Sequence, residues 1–211
     1  WGCALHHPER ITAVGALSVP FSPRPEAPPL DTMKAVFKDQ FFYQLYFQAE
    51  GVAEAEFESD VRVALRKFYH MGSAQADLSL LAPKPADADM LSDLPNPDRL
   101  GDWIADTDLD FYVGEFTNSG FRGPLNYYRN HNLTWERTAG APTKVQQPAM
   151  FVAGDKDGVI TMAAQALENM PTLVPNLRIN ELIPGVGHWT QQEAPEQTNA
   201  YMLEFLAGLE K

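Results

Sequence analysis

Two apolar runs, set far apart in the chain, constrain its fold more than any other feature. Residues 11–19 hold Ile11, Ala13, Val14, Ala16, Leu17 and Val19, and residues 149–153 are Ala149, Met150, Phe151, Val152 and Ala153. Apolar side chains at successive positions fall on both faces of a strand, which suits a parallel sheet covered by helices on both sides. Pro20, Pro23, Pro25, Pro28 and Pro29 break regular structure after the first run. From about Leu30 to Gly140 the periodicity is helical. Phe57, Val61, Ala64, Leu65 and Phe68 form one stripe. Thr107 and Asp110 resemble a capping box ahead of a helix whose buried face is Leu109, Tyr112, Val113 and Phe116, with Gly120 as its stop. Residues 82–100, rich in Pro, Asp and Ala, read as a long loop.

After Pro142 the pattern changes back. A strand over 149–153 is followed by Val159, Met162, Ala163 and Leu167 at helical spacing. Leu177 to Ile183 reads as a third strand, and Pro195 opens a final helix with the face Met202, Phe205, Leu206 and Leu209. Residues 1–8 read as a helix end closed by Pro8. The order is strand, helical insert, strand, helix, strand, helix, which is an α/β architecture with an inserted all-helical cap. The expected division is 1–20 (core helix end and strand), 21–141 (cap) and 142–211 (C-terminal part of the core). Three strands leave strand faces without partners, so the expectation is half of a sheet with a complete cap.

Composition narrows the function classes. With 45% hydrophobic and 21% charged residues, the 211-residue chain is ordinary for a globular protein. Its net charge of −12 argues against a nucleic-acid partner, because phosphate binding needs a basic surface. Cys3 is the single cysteine, which excludes an internal disulfide framework and favours a reducing, cytoplasmic setting. No apolar run approaches the roughly 20 residues of a spanning helix. Asn132-Leu133-Thr134 is a glycosylation site only in a secreted protein. The chain starts at Trp1 rather than Met, so its true N-terminus is expected further upstream.

The chemistry concentrates in the last third. The run ending at Gly154 leads into Asp155-Lys156-Asp157, and His188 follows in Gly185-Val186-Gly187-His188-Trp189. Either residue alone reads as loop polarity. Together, a carboxylate after one parallel strand and a histidine after the next fall at the same sheet edge, where ligands bind. A carboxylate there fixes the imidazole tautomer and stabilises the imidazolium that forms when it takes a proton. Asp155 is the rival carboxylate. Asp157 is preferred because two further residues let the chain turn toward the helix side. His6, His7, His70 and His131 read as structural, the last in a polar loop. No histidine pair has metal-ligand spacing, so no metal is expected.

The cap is rich in aromatic residues in Phe41-Phe42-Tyr43-Gln44-Leu45-Tyr46-Phe47 and Gly123-Pro124-Leu125-Asn126-Tyr127-Tyr128-Arg129. Packing explains most of these rings. It does not require a phenol, which stays neutral in water and can donate to a developing alkoxide.

These segments resemble the soluble-type epoxide hydrolases of the α/β-hydrolase fold. The resemblance rests on Tyr43-Gln44-Leu45-Tyr46-Phe47-Gln48 followed by Gly51-Val52-Ala53-Glu54-Ala55-Glu56, on Ser119-Gly120-Phe121-Arg122-Gly123-Pro124-Leu125-Asn126-Tyr127-Tyr128-Arg129-Asn130, and on Gly187-His188-Trp189-Thr190-Gln191. It covers the chain from Trp1 to the last helix, least well near 82–100. It implies the C-terminal half of that fold, without the nucleophile. It also implies that Tyr43 and Tyr128 hold the epoxide oxygen, that Asp157 and His188 are acid and base, and that Gln44, Tyr127 and Trp189 line the pocket. Tyr127 stands where the family often has tryptophan. The family's nucleophile, an aspartate in a His-Asp-Trp-Gly turn, is expected within two helical turns before Trp1, and its His-Gly-x-Pro loop further upstream. The implied partners are a small-molecule epoxide and the missing N-terminal half of the core. No cofactor is implied, and the assembly is a monomer or homodimer. Rival readings are a haloalkane dehalogenase or serine esterase sharing the dyad, or a non-catalytic ligand-binding fragment.

Overall fold

The computed structural model of the protein describes residues 1–77 and 83–209. Along the chain come α1 (Gly2–His6), β1 (Val14–Leu17), α2 (Pro29–Phe37), α3 (Tyr43–Tyr46), α4 (Val52–Ser59) and α5 (Val61–Gly72). Then follow α6 (Asp106–Ser119), α7 (Arg122–Arg129), α8 (His131–Arg137), β2 (Ala149–Gly154), α9 (Gly158–Met162), α10 (Ala164–Leu173), β3 (Leu177–Ile183), α11 (Thr190–Glu193) and α12 (Pro195–Ala207). The described residues form two compact units. One comprises Trp1–Arg24, Gly72–Ala74 and the chain from Gly140 onward, and the other Pro25–Met71 and Gln75–Ala139.

The first unit is built on a parallel sheet in the order β1-β2-β3. Val14 pairs with Ala149 and Leu17 with Val152, while Gly154 pairs with Ile183. Every residue of β2 is buried, and its period of two divides it between two cores. Ala149, Phe151 and Ala153 pack with Ala4, Phe21, Ile160 and Met170, whereas Met150 and Val152 pack with Ile179, Ile183, Val186 and Phe205. The first apolar run is shorter as a strand than its composition implies. It ends where Ser18 turns to a left-handed φ of 61°. The helix expected over 159–167 is interrupted at Ala163, and Met162 is 59% exposed. In α12, which packs against β2, β3 and α11, Phe205 is buried, but Met202 and Leu206 are 41% and 52% exposed. The expected apolar face is therefore only half used by the elements that α12 meets.

The second unit is helical. Phe57, Ala64 and Leu65 are buried in its core, with Val61 and Phe68 packed against them. The stripe is not one helix. Asp60 adopts extended backbone between α4 and α5, and its Oδ1 accepts the Val63 N–H at 3.0 Å. The carboxylate ends one helix by capping the next. His70 lies inside α5, and His131, expected in a loop, starts α8. The capping box of α6 also sits earlier than expected: Asp108 Oδ2 accepts the Ala105 N–H at 3.2 Å. Leu109 is buried there, Tyr112, Val113 and Phe116 pack beside it, and Gly120 ends the helix at φ 66°. Of the expected loop over 82–100, residue 82 lies outside the described residues. The remainder carries no helix but is anchored, with Met90, Leu91, Leu94 and Leu100 buried. Glu56 holds it by accepting the N–H groups of Met90 and Leu91 at 3.2 and 2.7 Å.

An ion pair ties α7 to the segment after α3. Arg129 Nη1 and Nη2 donate to the two Glu54 oxygens at 2.6 and 2.8 Å, and Glu54 Oε2 also accepts the Gly51 N–H at 2.9 Å. Both side chains are about nine-tenths buried. The hydrogen bonds from Arg129 hold the Glu54 carboxyl down at about 2, against the upward push of desolvation. A carboxyl held below its unfolded value stabilises the fold above that value, and the contribution is lost as pH falls toward the folded one. Cap stability is therefore expected to decline between about pH 4.5 and pH 2. Glu54→Gln should remove that slope and cost about 3–5 kcal/mol near neutrality, the range for breaking a buried pair. Urea titrations of both proteins across this pH range measure it, and parallel pH profiles would refute the assignment.

Candidate active site

The carboxylate–histidine pair is assembled by the turn after β2 and the turn after β3. Past Gly154 the Lys156 N–H donates to the Val186 carbonyl at 2.9 Å, so the two turns run side by side. Only glycine fits at 154, since a Cβ there would lie 2.0 Å from the Val186 oxygen. Asp157 is 1% exposed, and its two oxygens have separate tasks. Oδ1 caps α9 by accepting the Val159 N–H at 2.8 Å, and Oδ2 lies 2.9 Å from His188 Nδ1. An ionised carboxylate only accepts, so Nδ1 carries the proton and Nε2 presents the lone pair of a base. The rival Asp155 is turned elsewhere, its Oδ1 accepting the Gly185 N–H at 2.7 Å.

Three groups that sequence reading did not single out hold the histidine loop. Glu193 accepts the N–H groups on either side of His188: Gly187 at 3.1 Å on Oε2 and Trp189 at 3.1 Å on Oε1. Oε2 also accepts the Ala74 N–H at 2.9 Å. The His188 N–H donates to the Gly72 carbonyl at 2.7 Å. Ser18 Oγ donates to the His188 carbonyl at 2.7 Å and shares a 2.8 Å hydrogen bond with Thr190 Oγ1, which is buried. The left-handed backbone of Ser18 is thus placed where it fixes the loop. In the sequence, Glu193 is one more helix carboxylate and Ser18 one more strand-end hydroxyl, so neither carries a local signal. Trp189 lies against the imidazole, ring centroids 5.0 Å apart and edge-on. Its indole occupies the space a Cβ on Gly72 would need.

In the helical unit, α3 and α7 bring the two phenols together. The Tyr43 and Tyr128 rings meet edge to face, centroids 5.7 Å apart, and the Phe47 ring packs on both at 5.6 and 5.0 Å. Gln44 Nε2 donates to Tyr43 Oη at 2.8 Å. Burial, and next the neighbouring Tyr43, push the Tyr128 phenol up, so it remains a protonated donor. The neighbouring His131 ring packs edge-on against Tyr128 at 5.9 Å, and burial lowers its pKa, favouring the neutral form. Tyr46 is engaged otherwise, donating to Glu56 Oε2 at 2.7 Å. Tyr127 does not join the pair. It is 83% exposed, over a surface hollow shared with Asn126, Asn130 and Leu133.

No family model matches the chain. Epoxide hydrolase A of Mycobacterium tuberculosis is 40% identical over the whole of this chain, which spans 66% of that protein. Epoxide hydrolase B of the same organism is 33% identical across 99% of the chain, which spans 68% of that relative. Among solved structures, an epoxide hydrolase from an endophytic Streptomyces superposes with a TM-score of 0.93 at 40% identity, over 99% of this chain and 64% of that one. The chain thus spans about two thirds of the length of these relatives. At 33–40% identity over 99–100% of its length, the chain belongs to the epoxide hydrolase family of the α/β-hydrolase fold.

Proposed function

We propose that this chain supplies the proton-handling machinery of an enzyme that opens small epoxides to vicinal diols, working in the cytoplasm. The observation that carries the reading is the pair of phenols, Tyr43 and Tyr128, packed edge to face in the helical unit. An epoxide expels a strongly basic oxygen, and two neutral O–H donors answer that need without a metal. The nucleophile is an aspartate from outside residues 1–211. Its carboxylate oxygen bonds to an epoxide carbon as the ring C–O bond breaks, and a phenol proton passes to the freed oxygen. The enzyme then carries a hydroxyalkyl ester.

His188 completes the cycle. Its Nε2 takes a proton from water, whose oxygen attacks the ester carbonyl, and Asp157 stabilises the imidazolium. Collapse breaks the ester C–O bond, the new carboxyl proton passes to the leaving alkoxide to give the diol and the carboxylate, and the imidazolium proton returns to the phenolate left by ring opening. Gln44 is assigned a substrate-facing role through its contact with Tyr43, and Trp189 is assigned one through its contact with His188. Tyr127, expected to line the pocket, is 83% exposed on the helical unit.

The test is one turnover in heavy-oxygen water. The reading requires label in a single enzyme carboxylate, because water attacks the ester at its carbonyl. Label in the diol alone would mean direct attack of water on the epoxide and would refute the covalent route. A polypeptide of residues 1–211 by itself is expected to form no diol from styrene oxide, because it lacks the nucleophile. Sustained diol formation by it would overturn this part of the reading.

A further inference from the structure

We infer that Arg129, held by Glu54, is the positioning residue that sets the spacing of the two phenols in ring opening. The inference rests on the function proposed above. Arg129 follows Tyr128 directly, and its donors turn largely to the segment after Tyr43. Nε donates to the Phe47 carbonyl at 2.8 Å, Nη2 to the Ala49 carbonyl at 3.4 Å, and the fork grips Glu54. Nη1 also reaches Asn126 Oδ1 at 3.2 Å, within its own helix. Phe47 is the ring that packs against both Tyr43 and Tyr128, so the residue Arg129 holds is the spacer between the phenols. Gln48 adds a parallel strut, its Nε2 donating to the Gln44 carbonyl at 2.7 Å and the Tyr128 carbonyl at 3.2 Å.

A planar guanidinium holds two segments at a fixed separation, because its donors leave in fixed directions. A lysine ammonium keeps the charge but not the fork. Two phenols must both reach one departing oxygen, and a misplacement of about 1 Å costs about 100-fold in rate. The dyad acts in the later step, so loss of the fork should divide the two steps of the reaction.

The experiment follows one turnover of styrene oxide by the complete protein, with acid quench and mass spectrometry of the intact enzyme. It yields separate rate constants for ester formation and ester decay. Arg129→Lys and Glu54→Gln are expected to slow ester formation by about 10- to 100-fold and leave ester decay unchanged. Rate constants, unlike amplitudes, do not depend on the fraction of enzyme that is folded, so a purely structural role would move neither. Equal slowing of both steps, or of neither, overturns the inference. So does failure of both variants to fold, since the pair would then act through stability alone. If the unaltered enzyme forms no ester at all, the proposed function fails instead, and the two failures are told apart in one series.

Discussion

His188→Gln in the complete enzyme is expected to stop turnover after one ester per active site. Ring opening does not need the imidazole, so the first half of the reaction should proceed. Ester decay should slow by roughly 10⁶-fold, the scale of losing a triad base, or about 8 kcal/mol of barrier. Mass spectrometry of the quenched protein should show a stable adduct of one substrate mass, while diol production ceases. Asp157→Asn should act in the same direction without unfolding the turn. An asparagine oxygen can still accept the Val159 N–H that Oδ1 accepts at 2.8 Å, so the cap of α9 survives. What is lost is the carboxylate 2.9 Å from His188 Nδ1, and with it the tautomer that leaves Nε2 basic. Normal turnover by either variant would remove the dyad from the mechanism.

Tyr43→Phe and Tyr128→Phe should fail at the opposite step. Each removes one hydroxyl and keeps the ring, so the edge contact at 5.7 Å and the packing on Phe47 are preserved. One donor to a developing oxyanion is worth roughly 10²–10³ in rate, about 2.7–4 kcal/mol. Each single variant should lose that much in ester formation, and the double variant should lose ring opening almost entirely. Ester decay, measured on whatever ester forms, should be unchanged. The same variants separate the rival chemistries. Ester hydrolysis by a serine esterase, or halide displacement by a dehalogenase, does not require both phenols. Retained epoxide opening in the double variant would exclude the phenols as donors.

Much of the fold was legible in the sequence because it follows from local pattern. The apolar run 149–153 reads as a strand buried on both faces, and it divides its side chains between two cores as a period of two requires. Leu177–Ile183 and a final helix opened by Pro195 also lie where their patterns put them. Other local readings failed for a common reason. The stripe from Phe57 to Phe68 packs into the core as expected, yet it breaks at Asp60, which leaves helical backbone and caps α5 by accepting the Val63 N–H. Met202 and Leu206 have the spacing of a buried face but lie where β2, β3 and α11 do not cover them.

The site divides along the same line. Residue types and spacing nominated Asp157 and His188, and the resemblance to epoxide hydrolases singled out Tyr43 and Tyr128. Only the tertiary structure shows which oxygen of Asp157 meets His188 and that Asp155 turns to Gly185 instead. It alone shows Glu193, Ser18 and Gly72 converging on the histidine loop, and Arg129 gripping the segment that follows Tyr43. Those contacts join positions distant in sequence, and no local pattern records them. Periodicity is a property of neighbours along the chain, so the sequence by itself determined the elements and the candidate chemistry. The hydrogen bonds that aim that chemistry depend on which segments meet in space, and that was decided by folding.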